Sequence, residues 1–220
     1  MAQPLDAIER ETGAAPGAAV IWLHGLGADA HDFEPIVPEL GLPAAKPVRF
    51  VFPNAPQRPV TINMGMRMRA WYDILQLGGG AEDEAGIREA QVLLERLVER
   101  EKTRGIPARR IVLAGFSQGG AIALQAGLRH VERLAGVMAL STYLPLAQTL
   151  AAERAAINGD LPIFMAHGSL DPMIPAHRAQ LSRDALLGLG YPVQWREYPM
   201  AHAVCPQEIG DIAAFLLRIL

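Results

Sequence analysis

Short strand-like segments, apolar throughout or alternating with polar residues, recur at positions 18–23, 48–52, 110–116, 136–140, 162–166 and 193–198. Runs of this length, rich in Val, Ile, Leu and Phe, predict strands buried in a sheet. Between them, apolar residues return every three or four positions over 83–103, 118–130, 176–187 and 206–220, which predicts helices. In the last of these, Ile209, Ile212, Ala213, Leu216 and Ile219 mark one helical face. Strands alternating with helices imply crossover units, hence an α/β fold with a mostly parallel central sheet and helices on both faces. The chain has 220 residues, half of them hydrophobic, and is expected to form one domain over 1–220 with no internal repeat.

Ligands of such sheets gather beyond the carboxyl ends of the strands. Four segments there carry chemistry: His24-Gly-Leu-Gly27, Ser117, His167-Gly-Ser-Leu-Asp171 and Pro199-Met-Ala-His202. The serine sits in Gly115-Phe-Ser-Gln-Gly119, between an apolar strand and a helix. This is the pattern of a nucleophile elbow, the strained turn that exposes the nucleophile of an α/β-hydrolase. Glycines two residues to either side let strand and helix pass closely. With four serines and 21 glycines in the chain, the five-residue pattern arises by chance at roughly 0.035 per shuffle, so its strand-to-helix context carries much of its weight.

A serine hydroxyl needs a base and an acid to attack a carbonyl, and in this fold they follow it in the order acid, then histidine. His130, His167, His177 and His202 follow Ser117. His130 ends the elbow helix at its far end, His167 precedes any suitable acid and His177 falls inside a helix. His202, in the loop after the final strand, is the candidate base. Of Asp160, Asp171, Asp184 and Asp211, the first precedes its strand and the last two fall in amphipathic helices. Asp171 follows a strand on the catalytic side, where it can hold the His202 tautomer. Leu26, in the loop after the first strand, and Gln118, at the helix start, are the candidate oxyanion N–H donors.

The stretch between Phe52 and Asp83 has neither period and is rich in proline, methionine and glycine. Connections this long are more often functional than inert. It reads as a flap whose Trp71, Leu75 and Leu77 meet an acyl chain, with packing over the sheet edge as the competing reading. Met173, two residues beyond Asp171, completes the substrate-contact candidates.

Charge narrows the partners. The net charge is −3, with 20 basic and 23 acidic residues interspersed, so no basic face offers itself to nucleic acid. No apolar run approaches the roughly 20 residues that span a bilayer. The single cysteine, Cys205, reads as a small buried side chain, and the N-terminus lacks a signal-peptide layout, so a cytoplasmic setting is expected.

The ordered set His24-Gly-Leu-Gly27, Trp71-Tyr-Asp-Ile74, Glu82-Asp-Glu-Ala-Gly-Ile87, Gly115-Phe-Ser-Gln-Gly-Gly120, Leu140-Ser141, Leu144-Pro145, His167-Gly-Ser-Leu-Asp-Pro172 and Met200-Ala-His202 spans nearly the whole chain. It resembles the carboxylesterase and acyl-protein thioesterase/lysophospholipase family of small α/β-hydrolases. The resemblance implies Ser117, Asp171 and His202 as a triad, Leu26 and Gln118 as oxyanion donors and the stretch around Leu75 as a mobile substrate loop. It also implies an ester or thioester substrate, no cofactor, no large cap domain and a modest homodimer. Without a cap, a lipidated protein could reach the site. Ala201 stands where many relatives carry glycine, which requires a negative φ there. Gly78-Gly-Gly80 replaces a longer stretch common in the family. A non-catalytic binding module and an amidase are the alternative readings of the same residues.

Overall fold

A computed structural model describes residues 5–76 and 80–220. Among these residues nine strands and six α-helices follow one another as β1 (Ala7–Glu11), β2 (Ala18–Leu23), α1 (Ile36–Glu39), β3 (Val48–Pro53), β4 (Gln57–Val60), β5 (Met66–Arg69), α2 (Glu84–Thr103), β6 (Ile111–Phe116), α3 (Gln118–Arg129), β7 (Gly136–Leu140), α4 (Ala147–Glu153), β8 (Ile163–Gly168), α5 (Ala176–Gly188), β9 (Val193–Tyr198) and α6 (Pro206–Ile219). Seven strands form one sheet in the order β1-β3-β2-β6-β7-β8-β9. Every neighbouring pair is parallel except β1 with β3. All six expected strands are present, within a residue or two of their expected bounds. No helix among the described residues is long and apolar enough to cross a membrane.

The period of two along each strand divides the core into two layers. Ala19, Ile21 and Leu23 of β2, with Leu113 of β6 and Val137 of β7, join the layer packed on α2, α3 and α5. Val20 and Trp22, with Ala114 and Met138, face the layer packed on α1 and α6. Helix α3 is buried along its whole length. It comes close to the sheet because Gly127 has no side chain: a Cβ there would lie 2.4 Å from Val137 Cγ2.

Two parts differ from expectation. The stretch after Phe52 contains a hairpin, β4 paired antiparallel with β5, so it is more regular than its composition implied. The sheet also gains β1, an antiparallel edge strand reading Ala-Ile-Glu-Arg-Glu. Its acidic side chains serve an ionic cluster around Glu101 of α2, which is fully buried. Arg49 of β3 donates to Glu101 Oε2 at 2.9 Å and to Glu11 Oε1 at 2.8 Å. Arg104 donates to Glu101 Oε1 at 2.9 Å and to Glu9 Oε2 at 2.8 Å. The hydrogen bond from Arg104 holds the Glu9 carboxyl below its usual range.

Helix α6 begins four residues after His202 and carries a second buried acid. Glu208 is fully buried, and neither carboxyl oxygen has a well-formed hydrogen bond among the described residues. Burial pushes its carboxyl up to about 8, so it is held as the neutral acid near neutral pH. Cys205, expected to be buried, is only half-buried and stands at the N-cap of α6.

Two predictions follow from these acids. Glu101→Ala leaves Arg49 with Glu11 and Arg104 with Glu9 but removes the buried carboxylate that both arginines share, and about 1–3 kcal/mol of stability is expected to be lost in urea unfolding; a loss under about 0.5 kcal/mol would contradict the cluster's role. For Glu208 the folded pKa lies above the ordinary 4.5, so its contribution is complete below pH 4.5 and lost as pH rises through about 8. Unfolding measured across that range should show the wild-type protein declining more steeply than Glu208→Gln. Parallel curves would mean that Glu208 does not titrate between the two states.

Candidate active site

Ser117 directly follows β6 and caps α3, with φ 54° and ψ −120°. This is a conformation that L-residues rarely adopt, held here by its surroundings. The Ser117 N–H donates to Leu140 O at 2.8 Å, and its carbonyl accepts from Thr142 Oγ1 at 2.6 Å. The flanking glycines are required by contact. A Cβ on Gly115 would lie 2.2 Å from the Gly119 carbonyl carbon, and one on Gly119 would lie 2.4 Å from Leu23 O.

Asp171 sits in the turn after β8 with its carboxylate buried. Oδ1 accepts the N–H groups of Met173 at 2.8 Å and Ile174 at 2.9 Å. That leaves Oδ2 directed at His202, whose Nδ1 lies 2.6 Å away. A carboxylate can only accept, so Nδ1 carries the proton and Nε2 holds the lone pair. The His202 loop lies close to β8 because Gly168 has no side chain: a Cβ there would lie 2.3 Å from Ala201 O. Ala201 is not among the residues with positive φ, so alanine is accommodated at that position.

Ser117 and His202 line one cavity of about 250 Å³. They are not directly hydrogen-bonded at 3.5 Å or less; such contacts are often looser before substrate binds. Instead the Phe116 ring packs on the imidazole, with centroids 4.7 Å apart. Leu26 and Gln118 border the same space. The Leu26 N–H has no backbone acceptor among the described residues. The Gln118 N–H, at the first position of α3, has no acceptor within the helix.

The other histidines expected not to serve as base have structural roles or lie elsewhere. His167 is buried and donates from Nε2 to Ile174 O at 2.8 Å, bracing the Asp171 turn. His130 ends α3, and His177 is exposed on α5. His24 is buried, with Nδ1 on Gly25 O at 2.7 Å and Nε2 accepting from Ala55 N at 3.0 Å. Burial lowers its pKa, in keeping with this neutral form.

Met173 lines the cavity, but Trp71 and Leu75 do not. Trp71 is buried behind the wall, with its indole N–H donating to His24 O at 2.9 Å. Leu75 borders a small adjoining cleft, and Leu77 lies outside the described residues. The side chain of Gln118 has a further role that the sequence did not reveal. It accepts from Trp71 N at 2.7 Å and donates to Tyr72 O at 2.7 Å, tying the hairpin's exit to the elbow. Ile62, Tyr72, Ile74, Tyr143, Ile174 and Arg178 are wall residues that the sequence reading missed. No cluster of three or more metal-capable His, Cys, Asp or Glu side chains occurs among the described residues.

Comparison with known proteins gives the family. Residues 7–220 match the family model described as phospholipase/carboxylesterase. Acyl-protein thioesterase 1 of Gibberella zeae is 42% identical over 91% of this chain and 90% of its own length. The protein of that name from Mycosarcoma maydis is 42% identical over 97% and 95%. Among solved structures, Arabidopsis thaliana SOBER1 is 28% identical with a TM-score of 0.87, covering 92% of this chain and 98% of its own. Esterase PE8 is 26% identical with a TM-score of 0.84, covering 99% and 100%. With its elbow, its sheet order and a match running from residue 7 to the C-terminus, the chain belongs to the phospholipase/carboxylesterase family of α/β-hydrolases and is a serine hydrolase.

Proposed function

We propose that the protein hydrolyses carboxylic esters and acyl thioesters through Ser117, His202 and Asp171, by way of an acyl-enzyme. The observation that carries this reading is the 2.6 Å contact between His202 Nδ1 and buried Asp171, set beside a cavity that Ser117 shares. The names of the relatives that are 42% identical favour thioesters of acylated proteins among the substrates.

In this mechanism Ser117 Oγ attacks the carbonyl carbon while its proton passes to His202 Nε2. Asp171 orients the ring and stabilises the imidazolium. The oxyanion is received by the N–H groups of Leu26 and Gln118, each such donor being worth about 3 kcal/mol in the transition state. Collapse breaks the bond to the alcohol oxygen or thiol sulfur, which leaves with the proton from His202. Water then attacks the acyl-serine, again giving its proton to His202, and the carboxylic acid departs as Ser117 regains its hydrogen. No step calls for a metal or organic cofactor. A cavity of about 250 Å³ favours a short acyl group, because sites for drug-sized ligands run to roughly 300–1,000 Å³.

Ser117→Ala and Asp171→Asn are each expected to lower kcat by about 10⁴-fold or more on short-chain nitrophenyl esters and on an acyl thioester, with thermal stability near that of the wild-type protein. If Ser117→Ala keeps more than about a tenth of the wild-type rate, the assignment is wrong.

A further inference from the structure

We propose that Arg178 determines specificity by binding an oxyanion on the substrate, a carboxylate or phosphate held a few atoms from the scissile carbonyl. The inference rests on the serine-hydrolase reading of the cavity, whose wall Arg178 shares with Ser117 and His202.

Arg178 is half-buried near the start of α5, where its backbone N–H is fixed to Pro175 O at 2.9 Å. Its guanidinium carbon lies 3.5 Å from the centroid of the Tyr143 ring. The Tyr143 hydroxyl is in turn hydrogen-bonded to that of Tyr72 at 2.8 Å, and both tyrosines are buried. The guanidinium is therefore stacked on a fixed surface, which restrains a long side chain and leaves its planar array of donors available.

Among the described residues, no carboxylate oxygen lies within 4.0 Å of this cation. The two buried arginines are paired, Arg49 with Glu101 and Arg129 with Glu153, whereas the half-buried Arg69 and Arg154, which also lack a carboxylate within 4.0 Å among the described residues, bond to the carbonyls of Ala55 and Leu189. The acids that border the adjoining cleft with Arg178 bond to other groups. Asp73 accepts from Thr61 N at 2.7 Å and Thr61 Oγ1 at 2.5 Å. Asp83 accepts from Gly86 N and Asp73 N, both at 2.9 Å, and Glu82 accepts from Leu146 N at 3.0 Å. A cation that the fold leaves unneutralised beside an apolar cavity is a ready partner for an oxyanion, which can accept two parallel N–H bonds from it.

The topology gives the interaction a direction. In the order β2-β6-β7-β8, the loop after β2 and the segment after β8 lie on opposite sides of Ser117. Asp32, the other charged wall residue, belongs to the former and Arg178 to the latter. A negative substrate group is thus drawn to the Arg178 side and repelled from the other. The oxyanion could belong to the far end of a dicarboxylic acyl group or to a phosphorylated leaving alcohol.

Two matched pairs of substrates separate those sources: ethyl hydrogen adipate against ethyl hexanoate, and 1-hexanoylglycerol 3-phosphate against 1-hexanoylglycerol. The wild-type protein is expected to favour the charged member of at least one pair by about ten- to hundredfold in kcat/KM. Arg178→Met should bring that ratio near one, the charged member losing more than the neutral one. Arg178→Lys, which keeps the charge but not the planar fork, should retain part of the preference; it serves as the variant if the methionine form proves unstable. If neither pair shows a preference that depends on Arg178, or if charged and neutral substrates fall together, Arg178 is a packing strut and the proposal is overturned. Failure of the underlying reading would be recognised separately, by hydrolysis of the neutral esters that survives Ser117→Ala.

Discussion

The backbone of Ser117, at φ 54° and ψ −120°, is the constraint on which the site depends. A conformation this unfavourable, at a cost of order 1–3 kcal/mol, persists only where its surroundings over-determine it. Here β6 enters and α3 leaves at so sharp an angle that the backbone of residue 119 touches where a Cβ of residue 115 would be. Packing of the wholly buried α3 against the centre of the sheet fixes that angle. The energy of the core is thereby used to hold one hydroxyl at the carboxyl edge of the strands. The same turn leaves the Gln118 N–H free of intrahelical bonding, so the positions proposed for nucleophile and oxyanion donor have a common cause.

The surrounding loops are fixed to this point and to one another by hydrogen bonds rather than by bulk. Gln118 anchors Trp71 and Tyr72 through its amide, and the Trp71 indole reaches the His24 carbonyl. The Asp171 turn is closed by two of its own N–H groups, and His167 secures the same turn from below. One Asp171 oxygen is saturated by backbone; the other lies 2.6 Å from His202 Nδ1 and 3.5 Å from His167 Nε2, and the His202 imidazole is held by the shorter contact. The cavity then combines neutral, apolar walls with one cation and one acid on opposite flanks. A site built in this way can discriminate by charge as well as by chain length.

The legible parts of the chain were those governed by burial. Parallel strands covered on both faces must be apolar, so β2, β3, β6, β7 and β8 announced themselves. Strand β1 did not, because an edge strand facing an ionic cluster reads Ala-Ile-Glu-Arg-Glu and has no apolar alternation. The β4–β5 hairpin, Gln-Arg-Pro-Val against Met-Arg-Met-Arg, pairs only with itself and is largely solvent-facing, so its sequence carried no strand signal. Helices α1 and α4, at four and seven residues, are shorter than two helical turns. At the site, chain order and strand ends pointed to Asp171 and His202, which the fold brings into contact. Trp71 was read as a substrate contact because an aromatic in an irregular stretch has no visible partner; its partner, the His24 carbonyl, lies 47 positions away. Arg178 was invisible for the same reason, since a basic residue on an amphipathic helix ordinarily faces water.

The most direct test is a crystal structure of the protein after inactivation by a short alkyl fluorophosphonate, whose phosphorus mimics the tetrahedral carbon. The expected result is a single adduct on Ser117 Oγ, with the phosphoryl oxygen about 2.7–3.1 Å from the backbone nitrogens of both Leu26 and Gln118 and with His202 still bonded to Asp171. An adduct on another residue, or a phosphoryl oxygen turned away from both nitrogens, would contradict the account.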